Sequence, residues 1–295
     1  MVTVPRRVPS RPVLGCVGDL LDDVVVQRLA PVRDGADTPS IIRRRRGGSA
    51  ANVAAAAARA GYRARFIGQV GDDLTGRLLV GELTAMGVDV RVRHRGRTGT
   101  VVALVDERGE RSMLTDRGAA TELALVDTVW ATGLHTLHVP LYSLAVEPLA
   151  TSARALVDVA RHGGATISLD LSSVTVLDAL GPEALRALFA TLAPDVVLAN
   201  EAEARSLRAD LLAAHQPRVV VVKRGAAPAV VSVGGAVPVE VPPQPVDAVS
   251  DSTGAGDAFA GGFLPALAEG ASPLEAAVVG HRVAAAHLVE VSQTR

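Results

Sequence analysis

Val219-Val220-Val221-Val222 is a run of four valines between Arg218 and the turn Lys223-Arg224-Gly225-Ala226. A strand with one wet face would alternate, so an unbroken β-branched run reads as a strand buried on both sides. Upstream, Glu201–Ala214 has helical spacing and Val196–Leu198 is another short apolar strand. The alternation extends toward the N-terminus, with strands at Thr166–Leu171, Thr136–Pro140, Ala64–Val70 and Val13–Val17. Helices are expected at Pro182–Leu192, Pro148–Arg161, Leu74–Met86 and Ala50–Ala60, and Asp257–Glu269 and Pro273–Val289 close the chain. This pattern predicts an α/β fold of three layers, α/β/α, around a mostly parallel sheet. Ligands in such folds bind beyond the carboxyl ends of the strands.

Two stretches break the rhythm. Val24–Arg46 and Val88–Arg117 lack helical periodicity, and runs such as Val88-Asp89-Val90-Arg91-Val92-Arg93 alternate valine with arginine. That is the pattern of a sheet with one wet side, so the two insertions are expected to pair as a small β-sheet lid. No Gly/Ser or Pro-rich linker sets them apart, so residues 1–295 read as one domain. Met1–Pro12 carries arginines and three prolines but no apolar signal core, and reads as a frayed tail.

Composition narrows the function classes. Hydrophobic residues make up 48% but aromatics only 2%, so the core must be aliphatic and rich in alanine. A net charge of −1 argues against a nucleic-acid partner, and the apolar stretches are too short to span a membrane. The one cysteine, Cys16, cannot build a disulfide framework, which fits a reducing cytoplasm. Of 30 basic residues, Lys223 is the only lysine, which raises the question of a site that needs a compact ammonium.

Chemistry concentrates in glycine turns that lead into helices. In Asp251-Ser252-Thr253-Gly254-Ala255-Gly256-Asp257, three small residues leave backbone N–H groups uncovered at the start of an apolar-periodic segment. Such a helix end attracts an anion. Asp257 then faces a phosphate, which is awkward unless it takes a proton from an attacking hydroxyl; the bland alternative is an acid complementing the helix dipole. Gly47-Gly48-Ser49-Ala50-Ala51-Asn52 is a second glycine turn, with Asn52 able to present donor and acceptor to a polyol. Gly18-Asp19-Leu20-Leu21-Asp22-Asp23 groups three acids after the first strand, fit for sugar hydroxyls or simply a solvated turn. Asn200 and Glu203 share a helix face, an arrangement open to hydrated Mg²⁺ or to plain N-capping.

Taken in this order, the motifs resemble the ribokinase-like (PfkB) family of carbohydrate kinases across essentially the whole chain. Asp251–Asp257 is similar to that family's second signature, with Ser252 in place of the commoner threonine. Gly47–Asn52, continuing to Gly68-Gln69-Val70-Gly71-Asp72-Asp73, is similar to its first. The resemblance implies a β-sheet lid, ATP as phosphoryl donor and Mg²⁺. It implies Asp257 as base, the backbone of Gly254, Ala255 and Gly256 as anion hole, and Asp23, Gly47, Gly48 and Asn52 as acceptor site. Asn200 and Glu203 would hold Mg²⁺ largely through water, while Lys223, Gly225 and Thr253 fall on the nucleotide side. Asp251 aligns with a position near a monovalent-cation site. The chain departs from the family at Pro228, where the nucleotide turn has a second glycine.

The acceptor stays open between a neutral sugar, a nucleoside and a sugar phosphate. A nucleoside would call for aromatics, of which Tyr62, Phe66, Trp130 and Tyr142 are the candidates in the first half. A sugar phosphate would call for basic residues, and Arg117, where the lid returns to the main domain, is the one singled out. A non-catalytic binding protein would have no use for a base at Asp257. A dinucleotide oxidoreductase would need Gly-x-Gly-x-x-Gly after the first strand, where Gly15-Cys16-Val17-Gly18-Asp19 stands. The lid's exposed edge is expected to pair two copies as a homodimer.

Overall fold

The structure is a computed structural model that describes residues 11–106, 111–124, 126–207, 215–247, 249 and 251–293. Residues 1–10 of the expected tail and 208–214 of the expected Glu201–Ala214 helix lie outside the described residues.

Nine strands form one sheet: β1 (Val13–Val17), β4 (Arg63–Val70), β5 (Asp89–His94), β8 (Thr136–Pro140), β9 (Thr166–Asp170), β10 (Val196–Asn200), β11 (Val219–Arg224), β12 (Ala227–Val233) and β13 (Val239–Val241). Their spatial order is β13-β12-β11-β10-β9-β8-β1-β4-β5. All neighbours are parallel except at the β11–β12–β13 edge, where short hairpins make them antiparallel. From β1 the chain builds outward one way through β4 and β5, and the other way from β8. The switch point therefore lies between β1 and β8, and a crevice is expected beyond their carboxyl ends.

Helices cover both faces. On one lie α1 (Ser49–Arg59), α2 (Leu74–Ala85), α6 (Ala255–Ala268) and α7 (Pro273–Gln293), packed over Leu14, Phe66 and Phe263. On the other lie α3 (Leu149–His162), α4 (Val174–Leu192) and the short α5 (Glu201–Ser206), over Ile167, Leu169 and Phe189. Alanines at 50, 51 and 54–57 line the buried side of α1 and let α6 come close. A Cβ on Gly261 of α6 would stand 2.8 Å from the Val53 carbonyl, so only glycine permits this approach.

The lid is a separate four-stranded sheet, β3-β2-β6-β7, built from β2 (Leu21–Arg28), β3 (Ser40–Gly47), β6 (Thr98–Val105) and β7 (Arg111–Gly118). Its boundaries differ from expectation. Asp89–His94 does not join the lid; as β5 it pairs with β4 in parallel and extends the main sheet. A main-sheet edge strand also has one wet side, so the Val/Arg alternation alone cannot separate the two locations. Helix α4 starts earlier than expected, at Val174, with a break at Gly181 just before the expected start at Pro182.

Candidate active site

Gly254 caps α6 in the left-handed region (φ 79°), and Asp257 lies in the helix's first turn. One Asp257 oxygen accepts from Ser49 Oγ at 2.8 Å and the other from Asn52 Nδ2 at 2.9 Å. Burial pushes the Asp257 carboxyl above the usual carboxylate range, while these two hydrogen bonds pull the other way. Both glycine-turn helices thus converge on one carboxylate.

The first glycine turn is shaped by the loop after β1. Gly48 has φ 96°, and a Cβ there would sit 2.2 Å from the Asp19 carbonyl oxygen. A Cβ on Gly47 would sit 2.6 Å from the Asp23 carboxylate. Asp23 itself is pushed up by burial, and Arg45 partly offsets that. The Arg45 guanidinium stands 3.6 Å from Asp23 and 3.3 Å from Asp251, tying the lid to the loop ahead of α6. Asp251 also accepts from the Thr253 backbone at 2.8 Å.

Arg117 closes the switch point. Its guanidinium grips both Asp19 oxygens at 2.7 and 2.8 Å and donates to the Tyr142 carbonyl at 3.1 Å. It also lies 5.7 Å from the centre of the Tyr142 ring. Its Nε and Nη2 thus join the lid base to the ends of β1 and β8.

Two cavities flank the start of α6. The first cavity, about 300 Å³, lies on the expected acceptor side and has Asp23, Arg46, Asn52, Glu82, Thr253 and Gly254 among its lining. The second cavity, about 570 Å³, has Lys223, Gly225 and Gly256 at one end and Pro243, Phe259 and Leu288 among its apolar walls. Lys223 Nζ lies 3.3 Å from where a Cβ on Gly256 would be and donates to Asp170 at 2.7 Å. Burial works against the Lys223 charge, but Asp170, helped by Asp257 and Glu203, outweighs it and raises the pKa. Pro228 has no partner in the β11–β12 register, which slips between Val222 and Arg224, and its carbonyl accepts from Arg224 Nε at 2.6 Å.

Asn200 and Glu203 form a reciprocal cap on α5. Glu203 accepts from the Asn200 backbone and side chain, both at 2.7 Å, and Asn200 Oδ1 accepts from the Glu203 N–H at 2.8 Å. Burial raises the Glu203 pKa. With these atoms engaged, the pair suits Mg²⁺ held through water better than Mg²⁺ bound directly. Among the described residues no group of three or more His, Cys, Asp or Glu side chains could hold a metal ion. No helix among them is long and apolar enough to cross a membrane.

Sequence reasoning quoted Ser49 without giving it a part, passed over Asp170, and counted Arg46 only among the basic residues near the lid, most of them taken as its wet face. Asp170 ends an apolar strand at the ligand-binding edge of the sheet, which is a readable signal. Arg46 sits in a run of four arginines that reads as a wet face, and nothing in the run marks it out.

Comparison with known proteins identifies the family. The pfkB family carbohydrate kinase profile matches residues 14–294. The chain is 34% identical to a fructokinase from Escherichia coli over 228 residues, 71% of this chain and 73% of that protein. It is 36% identical to an ATP-dependent ribose-1-phosphate kinase from Halopiger xanaduensis over 217 residues, covering 70% of this chain and 69% of the relative. The crystal structure of adenosine kinase from Sinorhizobium meliloti superposes with a TM-score of 0.80 at 26% identity, over 93% of this chain and 92% of that one. The chain belongs to the PfkB family of carbohydrate kinases, phosphotransferases with an alcohol group as acceptor.

Proposed function

We propose that the protein transfers the γ-phosphoryl group of ATP to a hydroxyl of a small carbohydrate. The observation that carries this reading is the Asp257 carboxylate, oriented by Ser49 and Asn52 at a helix start with a cavity on either side. The acceptor hydroxyl attacks the γ-phosphorus, its proton passes to Asp257, and the bond to the β-phosphate oxygen breaks to release ADP. Backbone N–H groups of Gly254 and Gly256 and the Lys223 ammonium offset the phosphoryl charge, while the Ala255 N–H of the expected anion hole is engaged by the Ser252 carbonyl at 3.2 Å. Mg²⁺ supplies further charge neutralisation when bound, with Asn200 and Glu203 as its water-mediated holders.

The acceptor-side cavity favours a sugar over a nucleoside, because no Phe, Tyr or Trp among the described residues lines it. The apolar walls of the larger cavity support a nucleotide base there. Cys16 is buried and free, which supports a reducing cytoplasm as its setting. Exposed Ile42 and Leu114 on the two edge strands of the lid support pairing with a second copy. Asp251, which the resemblance sets near a monovalent cation, is engaged by Arg45 and by the Thr253 backbone.

The test is an ADP-release assay with Mg²⁺-ATP and a panel of pentoses, hexoses, nucleosides and sugar phosphates, with products identified by mass. Stoichiometric phosphorylation of a carbohydrate is expected. Acceptor-independent ATP hydrolysis, or a nucleoside as sole acceptor, would overturn the reading.

A further inference from the structure

Asp251 stands where the resemblance sets a monovalent cation, yet the oxygens of this loop already face donors of the protein itself. One Asp251 oxygen accepts from the Thr253 N–H at 2.8 Å and the other from Arg45 Nη1 at 3.3 Å. The Thr253 carbonyl is engaged by His287 Nε2 at 2.8 Å. A carbonyl only accepts, so that ring nitrogen carries the hydrogen. The imidazole comes from α7 and packs closely on the turn into α6, since a Cβ on Gly254 would stand 3.0 Å from Nε2. Asp251 is buried and Arg45 half-buried.

A K⁺ or Na⁺ ion is held where several oxygens, carbonyls above all, converge to replace its water shell. Here both carboxylate oxygens and the Thr253 carbonyl each meet an N–H, and a guanidinium already neutralises the carboxylate. A second cation on Asp251 would be repelled by Arg45, with little water to screen the repulsion. The residues present therefore do not fit a monovalent ion; they fit its replacement. Arg45 belongs to lid strand β3, and its Nε also lies 3.6 Å from Asp23. One positive charge thus ties a carboxylate of the lid to the carboxylate that holds the turn into α6. We infer that Arg45, with His287 on the Thr253 carbonyl, does in this chain what a bound monovalent cation would do, so that the protein needs no such ion and the order of its anion-binding turn depends on the lid. Arg45 is a positioning residue, and its part rests on the reading of the α6 start as the phosphate site.

The competing explanation is that Arg45 is only a structural clip between lid and loop. Arg45→Gln separates the two, because glutamine keeps amide donors but brings no charge, while Arg45→Lys keeps the charge. Melting temperature and calorimetric affinity for Mg²⁺-ATP are measured in KCl, NaCl and choline chloride at equal ionic strength, choline being too large for a pocket built for K⁺ or Na⁺. An ion held by the folded protein alone raises the melting temperature by mass action. The native protein should melt at one temperature in all three salts and bind Mg²⁺-ATP equally, within about twofold. Arg45→Gln opens Asp251 to an ion, so K⁺ or Na⁺ in place of choline should raise its melting temperature by about 2–4 °C and its ATP affinity roughly tenfold. Arg45→Lys should stay indifferent to the choice of salt. A native protein that K⁺ or Na⁺ stabilises, or an Arg45→Gln variant that ignores both ions, overturns the inference. If Arg45→Gln does not fold, the native comparison decides alone. Melting needs no turnover, so a failure of the kinase reading, seen as no ADP release with any acceptor, is told apart from a failure of this one.

Discussion

Asn52 donates to Asp257 across 2.9 Å, joining two helices whose contacting residues lie 205 positions apart in the chain. The amide of Asn52 has only one acceptor end, and Arg46 occupies it. Its NH₂ group is therefore turned toward the carboxylate. Ser49 completes the grip, so Asp257 meets two donors fixed by α1 before any substrate arrives. Preorganised donors of this kind hold a base in position without reorganisation during the reaction.

The pH profile follows from that contact. Burial raises the Asp257 pKa and the Asn52 and Ser49 hydrogen bonds lower it. A base works when deprotonated, so kcat/KM should fall on acidification at a pH above the ordinary aspartate value of about 3.9. Asn52→Leu removes a donor to the charged form, so the acidic limb should move to higher pH. An unchanged limb, or one moved to lower pH, would show that Asn52 does not act on the base.

Asp170 and Lys223 make a buried ion pair at 2.7 Å on the nucleotide side. Removing one partner strands the other, so Asp170→Asn should cost about 3–5 kcal/mol in denaturant unfolding. The pKa of Lys223 is raised in the fold. Its contribution is thus fully present below the unfolded value of about 10.4 and lost as pH rises through the folded value. The native protein should lose stability in that alkaline range, and Asp170→Asn should show less of that loss. Equal alkaline loss in both would place the titration elsewhere.

Gly48→Ala tests the glycine turn. At φ 96°, with a Cβ 2.2 Å from the Asp19 carbonyl, alanine brings both strain and collision. A loss of about 1–3 kcal/mol or more is expected. Wild-type stability would mean that the turn does not press on the loop after β1.

Much of this architecture was legible because it rests on local patterns. Val219–Val222 reads as buried strand because apolar runs are unambiguous when both faces are covered. The glycine turns at 47–48 and 254–256 are legible because Gly48 and Gly254 adopt positive φ values that few other residues tolerate. What stayed hidden depends on long-range placement. Asp89–His94 carries a half-wet pattern that fits the lid or the edge of the main sheet, and only its pairing with β4 decides. Arg46 and Arg44 belong to the same run of four arginines, yet one is half-buried against Asn52 and the other is exposed. Arg117 was visible as a basic residue near the site, but its partner Asp19 is 98 residues away.

Lid closure is a dynamic consequence of the chemistry. Water must be excluded from the phosphoryl group, and the lid strand β2 carries Asp23 at the cavity. Acceptor and nucleotide together should slow hydrogen exchange in β2, β3, β6 and β7 but leave the main-sheet edge strand β5 little changed. Protection of β5 equal to that of the lid would mean that the four-stranded sheet does not move as a unit.

Asp257→Asn measures the central claim. Asparagine keeps the shape of the side chain but cannot take the hydroxyl proton, and loss of general-base catalysis costs ~10²–10⁴-fold in rate. The variant should fold, bind ATP at least as tightly because a negative charge facing the phosphates is gone, and turn over slower by that factor. If Asp257 only complements the dipole of α6, turnover stays near normal and the variant loses stability by ~1 kcal/mol or less. Single-turnover phosphoryl transfer on Asp257→Asn, with ATP affinity and melting temperature taken on the same preparation, decides between them. A rate loss of ~10²-fold or more with ATP binding intact is the predicted result, and near-normal transfer with a lowered melting temperature would contradict it.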